Sequence, residues 1–439
     1  MRSLLIVFYC LVSALTIKAN GQDRLWKIQT TDYHGTYYGA TVANGGIGIL
    51  PWKEPFSIRH VMLNHVFDSA TPQDVSRVLR GINPFNLQMQ INGQTVNGDN
   101  ISGWEQCIDM KEATHNTHFI CDGKADVSYS ICALRNLPYA GLVRVEVTAL
   151  GDMYLTVSNP IEVPDEYKNI GSKLVNVNVN GNDIKIVRTW ALSKHREQKV
   201  SASSAFIYDK NSNVQQQYNG NGQISIPLKK GEKFFFTLLG AVCTGRDFID
   251  PYNEADREVI YGAKEGLARL MDGHQKLWDE MWKGDIVIEG DDEAQRAVRF
   301  ALYNLYSNAR KGSRLSIPPF GLSSQGYNGH IFWDTEFWMY PPMLFMNQGI
   351  ARTMMDYRTD RLEAACQKAL SYGYDGAMFP WESDDAGEEA CPTWALTGPF
   401  EHHITADIAI AAWNYYCMSG DQRLSLIHIS EPTRHSLIS

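Results

Sequence analysis

Short segments of alternating hydrophobic and polar residues fill the chain from residue 23 to about residue 250. A period of two is typical of strands that bury one face, and turns rich in Asn and Gly separate several segments. Many short strands with polar turns predict a large antiparallel β-sandwich over residues 22–250. The clearest predicted strands begin at Val127, Leu142, Met153, Ile184 and Phe234.

The hydrophobic period becomes helical near residue 253, where Asn253 is a candidate helix cap. Asp291 and Asp292 are expected to open a further helix. Residues 251–284 are predicted to form a helical linker. Its apolar stripe consists of Val259, Ala263, Leu267, Leu270, Leu277 and Met281.

Beyond residue 285 the predicted elements are helices joined by loops rich in Gly and Pro. The pattern predicts a long amphipathic helix over 349–371 and a helix over 402–418 that is apolar nearly all round. The second helix is typical of the inner layer of a bundle or barrel. The sequence therefore predicts a multidomain protein in which a β domain precedes an α domain.

Residues 1–21 have the pattern of a signal peptide. Arg2 precedes an apolar run, and the small residues Ala19 and Gly21 predict cleavage before Gln22. The run is short for a membrane span, and an uncleaved anchor is the alternative. We expect a periplasmic or secreted protein that is free of the membrane after cleavage.

The last sixteen residues, 424–439, break the preceding pattern. Leu424 to Arg434 looks like the conceptual translation of an adaptor used to prepare DNA libraries. We interpret 424–439 as a non-native tail and expect the natural protein to continue beyond Arg423. The alternative is a genuine, unusual C-terminus.

Composition narrows the functional classes. The net charge of −9 and the lack of a basic block argue against a nucleic-acid partner. Eleven Trp and 21 Tyr favour a flat ligand such as a sugar, unless they simply fill a core. The eight cysteines have no metal-ligand spacing, so neither a metal nor another cofactor is expected. Cys107 and Cys121 could form a disulfide, or remain buried thiols.

Three clusters combine aromatic and acidic residues, as an enzyme that binds a sugar requires. Flat rings cover the apolar faces of a pyranose, carboxylates accept its hydroxyls, and a carboxyl group can protonate a glycosidic oxygen. The clusters are GHIFWDTEFW at 329–338, FPWESDDAGEE at 379–389 and GPFEHHITADIAIAAW at 398–413.

The first two clusters each pair an indole with an acceptor. Trp333 stands beside Asp334, and Trp381, aimed by the preceding proline, stands beside Glu382. The structural alternative is that Asp334 or Thr335 caps a helix while Trp333 fills the core. The other acids of the second cluster, Glu388 and Glu389 above all, are expected to form a solvated loop.

The third cluster places Glu401 just before an apolar helix. Apolar surroundings favour the protonated form of a carboxyl group, which suits a general acid. Glu401 could instead cap the helix, or bind a metal with His402 and His403. Adjacent histidines point in different directions on a helix, which disfavours the metal site.

Taken together, these motifs resemble the central catalytic domain of glycoside hydrolase family 65. Members of that family include disaccharide phosphorylases, acid trehalases and kojibiose hydrolases. The resemblance covers residues 285–423 well. It implies that they form the N-terminal part of an (α/α)6 barrel behind a large β-sandwich and linker helices. It also makes an α-glucoside oligosaccharide the expected partner and a homodimer a possible assembly.

The resemblance implies that Glu401 is the general acid, and that Trp333, Asp334, Trp381 and Glu382 hold the non-reducing α-glucosyl unit. The family inverts configuration. Its hydrolases activate water with a second carboxylate, and its phosphorylases use phosphate held by a downstream loop. Either part would lie beyond Arg423, so we expect the 439-residue chain alone to be insoluble or inactive.

The predicted export favours a hydrolase over a phosphorylase, because a phosphorylated product is hard to recover outside the cytoplasm. We therefore expect an exported inverting α-glucoside hydrolase acting on a kojibiose-like, trehalose or glucosyl-galactosyl substrate. A disaccharide phosphorylase of the same family is the first alternative. A non-catalytic carbohydrate-binding protein is the second.

Overall fold

Alternating buried and exposed side chains build the strands between Lys27 and Thr244, as in the sequence Met153–Asn159. The computed structural model describes residues 23–69, 75–179, 181–209 and 211–421. The predicted signal peptide and the tail at 424–439 lie outside the described residues. The strands are, in chain order, β1 (Lys27–Thr30), β2 (Val42–Ala43), β3 (Ile47–Pro51), β4 (Ile58–Ser69), β5 (Ser76–Gly81), β6 (Gln88–Ile91), β7 (Gln94–Thr95), β8 (Ile101–Asp109), β9 (Thr114–Cys121), β10 (Ala125–Ala133), β11 (Ala140–Ala149), β12 (Met153–Asn159), β13 (Tyr167–Val179), β14 (Asn182–Ser193), β15 (Lys199–Tyr208), β16 (Gln215–Tyr218), β17 (Gly222–Leu228) and β18 (Lys233–Thr244).

These strands form three antiparallel sheets. The largest has nine strands in the order β1-β8-β9-β10-β11-β18-β15-β14-β13. A five-stranded sheet has the order β16-β17-β12-β6-β7, and a four-stranded sheet runs β2-β3-β4-β5. One face of the large sheet packs against the smaller sheets in a shared core that includes Val127, Tyr129, Met89, Leu155 and Ile49.

The cysteines of the described residues are free thiols. Cys107 lies opposite Asn116 in the β8–β9 ladder, whereas Cys121 lies opposite Ile101. The two cysteines are therefore six residues apart along the ladder, roughly 20 Å at the usual rise of a strand. That separation excludes the disulfide considered from the sequence.

Two helices, α1 (Pro251–Glu265) and α2 (Leu267–Met281), follow the strands. Val259 and Leu270 pack against the second face of the large sheet, on Leu142 and Leu239 among others. The buried Asp256 of α1 binds Arg188 of β14 and accepts a hydrogen bond from Ser203. These helices therefore cover the sheet rather than only linking two domains.

Two details of this segment differ from the prediction. The cap of α1 is Asp250, whose side chain accepts a hydrogen bond from the backbone N–H of Asn253. The predicted stripe is divided between two helices at Gly266, where φ is 82° and glycine is favoured. Leu277 is consequently 41% exposed.

The later helices are α3 (Asp292–Asn308), α4 (Tyr340–Met346), α5 (Gln348–Asp360), α6 (Leu362–Ser371) and α7 (His403–Ser419). Asp291 caps α3 through the backbone N–H groups of Glu293 and Ala294, which confirms that predicted start. The long helix predicted over 349–371 is in fact two helices that meet at Arg361. Within the described residues, no helix is both long and apolar enough to cross a membrane.

Helix α7 has apolar side chains both on its buried face and on a face that is exposed. Ile404 and Ile408 are buried, while Ile410 and Trp413 are 59% and 48% exposed. Other large apolar side chains of the helical region are also exposed, namely Phe337, Trp338, Phe345, Trp394 and Leu396. Exposed apolar surface of this extent is typical of a face that another element or partner covers.

The carboxyl group of Glu258 is half-buried where α1 packs, and its pKa provides a test of that packing. Burial raises the pKa of Glu258 to about 7, and the nearby Glu254 adds to the effect. Its Oε2 atom is buried without a hydrogen-bond partner among the described residues. The folded protein thus holds this proton more tightly than the unfolded chain does. The resulting stabilisation is complete below the unfolded pKa of about 4.3 and is lost as the pH rises through about 7.

We therefore expect Glu258→Gln to be more stable than the parent at pH 8 and equal to it near pH 4. The thermal unfolding midpoints at the two pH values measure the difference. Glu280→Gln, at an exposed position on α2, is the control and should show no such trend. A difference between Glu258→Gln and the parent that does not change with pH would contradict the assignment.

Candidate active site

The first two sequence clusters lie side by side because their backbones pair. Ile331 and Ser383 exchange two hydrogen bonds, each with an N···O distance of 2.9 Å. The pairing is antiparallel, so the residues just after Ile331 lie opposite those just before Ser383. It therefore brings the segments that carry Trp333 and Glu382 onto one wall.

Glu382 is buried in this wall and held at several points. One carboxylate oxygen, Oε2, lies 2.8 Å from Nδ1 of the fully buried His330. The backbone N–H groups of Trp381 and Glu382 donate to the two oxygens of Glu389, at 3.0 and 3.1 Å. Among the described residues, no partner is recorded for Oε1 of Glu382, which leaves that atom available to a ligand.

Glu389 is the clearest error of the sequence interpretation. It was expected in a solvated loop, but its carboxylate forms an ion pair at 2.5 Å with Lys368, whose side chain is only 9% exposed. The same carboxylate holds the backbone of the Trp381–Glu382 pair. Glu388, in contrast, is exposed as expected. The sequence of an acidic run does not indicate which carboxylate is solvated and which binds a lysine 21 residues away.

Trp333 and Asp334 precede a π-helical turn, Thr335–Met339. The ring of Trp333 stands edge-on to His403 at 5.1 Å and packs against the small cluster of Phe379, Ile404 and Ile408. Asp334 makes no capping bond and has no recorded side-chain partner among the described residues. The helix-cap alternative for Asp334 is therefore wrong, and its carboxylate is available to a ligand.

The same turn is anchored by a buried ion pair that the sequence did not reveal. Nε and Nη2 of Arg358, on α5, each donate to one oxygen of Glu336 at 2.8 Å, and Nη2 also donates to the carbonyl of Phe332. Burial opposes the charge of Arg358, but the Glu336 carboxylate outweighs it and raises the pKa of Arg358. The pair fixes the backbone on both sides of Trp333 and Asp334.

Trp381 lies against the segment that leads to Glu401. A Cβ atom at Gly398 would be 3.0 Å from Cε3 of Trp381 and 2.5 Å from Sγ of Cys391. Only glycine fits such a close approach of the backbone to the indole. The second cluster and the third cluster therefore touch at Gly398, three residues before Glu401.

Glu401 lies outside α7, which begins at His403 without a side-chain cap. The capping alternative is therefore wrong. The Glu401 side chain is 33% exposed, and its Oε2 lies 3.5 Å from Nε2 of His403. Nδ1 of His403 lies 2.8 Å from the carboxylate of Asp407. The surroundings of Glu401 are thus more polar and more open than the apolar enclosure expected from the sequence.

The two adjacent histidines do not face a common point. His402 stands edge-on to Tyr374 at 5.7 Å, whereas His403 faces Trp333, Glu401 and Asp407. In the part of the chain that the structure describes, no group of three or more His, Cys, Asp or Glu side chains is placed to hold a metal. The wall therefore offers two indoles, three carboxyl groups and a histidine to a ligand.

Comparison with known proteins places the chain in a family. Residues 39–281 match the N-terminal domain of glycosyl hydrolase family 65, and residues 299–428 match its central catalytic domain. The chain belongs to glycosyl hydrolase family 65. The family assignment agrees with the resemblance of the three motifs.

Two relatives align over most of the chain. A kojibiose hydrolase of Flavobacterium johnsoniae is 40% identical over 88% of this chain and 58% of its own length. A second, from Mucilaginibacter mallensis, is 36% identical over 94% of this chain and 62% of its own length. The chain thus spans about three fifths of these relatives. A kojibiose phosphorylase of Thermoanaerobacter brockii is 39% identical, over 40% of this chain and 24% of its own.

A solved structure supports the fold. A provisionally assigned kojibiose phosphorylase from the human microbiome superposes with a TM-score of 0.75 at 15% sequence identity, covering 91% of this chain and 57% of that one. At this identity the likeness concerns the fold alone. It agrees with antiparallel sheets followed by helices.

The buried pair of Arg358 and Glu336 yields a prediction about stability. Glu336→Gln leaves the Arg358 charge buried without its counter-ion, so we expect a loss of about 3–5 kcal/mol in the free energy of unfolding. Urea unfolding monitored by tryptophan fluorescence measures it. Asp272→Asn removes an exposed ion pair with Lys276 and serves as the control, with little change expected. Equal effects of the two substitutions would contradict the role given to the buried pair.

Proposed function

We propose that the complete protein is an exported, inverting α-glucoside hydrolase. The observation that carries the proposal is the single wall formed by Trp333, Asp334, Trp381, Glu382 and Glu401. The indoles would cover the apolar face of a glucosyl unit, while Asp334 and Oε1 of Glu382 accept its hydroxyls. Export rests only on the pattern of residues 1–21.

In this proposal Glu401 is the general acid. It donates its proton to the glycosidic oxygen as the bond to the anomeric carbon breaks, and water attacks that carbon from the opposite face. The products are the free aglycone and β-glucose. The group that takes the proton of the water would be a second carboxylate beyond Arg423. That position is consistent with a chain that spans about three fifths of its hydrolase relatives.

Hydrolysis is favoured over phosphorolysis because the hydrolases align with a larger share of the chain than the phosphorylase does. The two kojibiose hydrolases align with 88% and 94% of the chain, whereas the phosphorylase of Thermoanaerobacter brockii aligns with 40%. We therefore propose an α-1,2-linked glucosyl disaccharide as the first substrate to test, before trehalose and glucosyl-galactosyl compounds.

The complete protein is expected to release β-glucose, without phosphate, from the methyl glycoside of kojibiose, whose leaving group is a methyl glucoside and not free glucose. Proton NMR of the first product, with and without added phosphate, measures both the anomer and the requirement. A strict phosphate requirement would identify a phosphorylase, and α-glucose as first product would exclude inversion.

Glu401→Gln should lower kcat by about 10²–10⁴-fold, because an amide cannot protonate the leaving oxygen. Glucose binding, followed by calorimetry, should persist because the indoles and Glu382 are unchanged. Glu388→Gln, in the exposed part of the second cluster, is the matched control and should retain parental activity. If the parent binds glucose but turns over no glucoside, the protein is a carbohydrate-binding module instead.

We further propose that residues 285–423 are part of an (α/α)6 barrel whose remaining helices cover the exposed apolar side chains of α7 and its neighbours. The support is the exposure of Ile410, Trp413 and Trp338. The 439-residue chain, expressed alone, is expected to aggregate or to bind a hydrophobic dye, whereas the protein from the complete gene should do neither. A soluble, monomeric 439-residue chain that binds no dye would count against the partial barrel.

A further inference from the structure

His330 connects the sugar-binding wall to the β domain. Its Nδ1 lies 2.8 Å from Oε2 of Glu382, and its Nε2 lies 3.2 Å from Oγ of Ser76, the first residue of β5. The imidazole is stacked on Phe67 of β4, with the ring planes 25° apart. A serine of the β domain thus touches the ring that holds the candidate acceptor carboxylate.

The direction of the hydrogen bonds follows from the single proton of Ser76. Its Oγ also lies 2.7 Å from Oδ2 of Asp384. Asp384 accepts a second bond from the backbone N–H of Ala386 and faces the guanidinium of Arg196 at 3.5 Å, so its carboxyl oxygens act as acceptors. Ser76 must then donate to Asp384, which leaves its lone pair to accept from His330.

This order decides where the protons of His330 lie. Nε2 must carry a proton, because Ser76 has none left to donate. Nδ1 and Oε2 of Glu382 are 2.8 Å apart and both buried, so one proton must also lie between them. The His330–Glu382 pair is then neutral as a unit, whether this proton belongs to the nitrogen or to the oxygen.

We propose that Ser76 is a positioning residue for the sugar subsite: through His330 it orients Glu382 so that Oε1 faces the glucosyl unit. This inference rests on the proposed function, in which Glu382 binds the sugar. Nearby, Nη2 of Arg361 donates a hydrogen bond to Nε2 of His65, whose ring stands edge-on to Phe67 and Tyr357. Ser76 of the β domain would therefore contribute to substrate binding without touching the substrate.

Kinetics of the complete protein test the role through a double-mutant cycle. Ser76→Ala should raise KM for the glucoside about tenfold and leave kcat nearly unchanged, because Glu382 binds the sugar equally in the ground and transition states. His330→Asn keeps an amide near the Nδ1 position and has no contact with Ser76. Adding Ser76→Ala to His330→Asn should therefore cause no further change.

The matched control is Ser204→Ala, which removes another buried serine of the β domain that bonds a side chain, Asn159, away from the site. It should leave KM unchanged. An effect of Ser76→Ala that is equally large in the His330→Asn background would show a purely structural role and overturn the proposal.

NMR of the unliganded protein with ¹⁵N-labelled histidine tests the proton order without any substrate. The His330 signals are those missing from His330→Asn. We expect Nε2 to be protonated. An unprotonated Nε2 would overturn the inference even in an active glucosidase. A parent that neither binds glucose nor hydrolyses glucosides would refute the proposed function, and with it the role of Ser76 in the subsite.

Discussion

The backbone pairing of Ile331 with Ser383 is the constraint on which the candidate site depends. The two residues are 52 positions apart, and their paired hydrogen bonds bring the Trp333 and Glu382 segments together. Two buried contacts support the pairing on either side. His330 binds Glu382, and Arg358 binds Glu336 just beyond Asp334. Both contacts bury polar groups where water cannot replace a lost partner, which favours this arrangement of the wall.

The β domain and the helical region meet through polar groups as well as apolar packing. Phe67 of β4 stacks on His330. Ser76 of β5 and Arg196, from the turn between β14 and β15, both reach Asp384. Such an interface has a specific geometry, because every buried donor and acceptor requires a hydrogen-bond partner. The β domain is thereby a structural part of the wall that carries the candidate site.

Much of the architecture was predictable because it follows local periodicity. The strands and the helix start at Asp291 are correct, whereas the cap of α1 and the continuity of 349–371 are not. Asp250 and Asn253 are both good caps, and only the turn geometry decides between them. The helix breaks at Arg361, where φ is −108° and ψ is 10°. The Arg361 guanidinium donates to the carbonyls of Asp384 and Asp385, contacts without a local signal in the sequence.

The sequence by itself determined the order of β and α regions and the residue types of the three aromatic and acidic clusters, because both depend on neighbours along the chain. Only the tertiary structure decided which carboxylates form an ion pair within the protein and which are exposed to solvent. Glu389 and Glu388 are adjacent, but one meets Lys368 and the other meets solvent. His330, Ser76 and Arg358 also gained their roles only on folding, because a buried polar group is defined by partners distant in sequence.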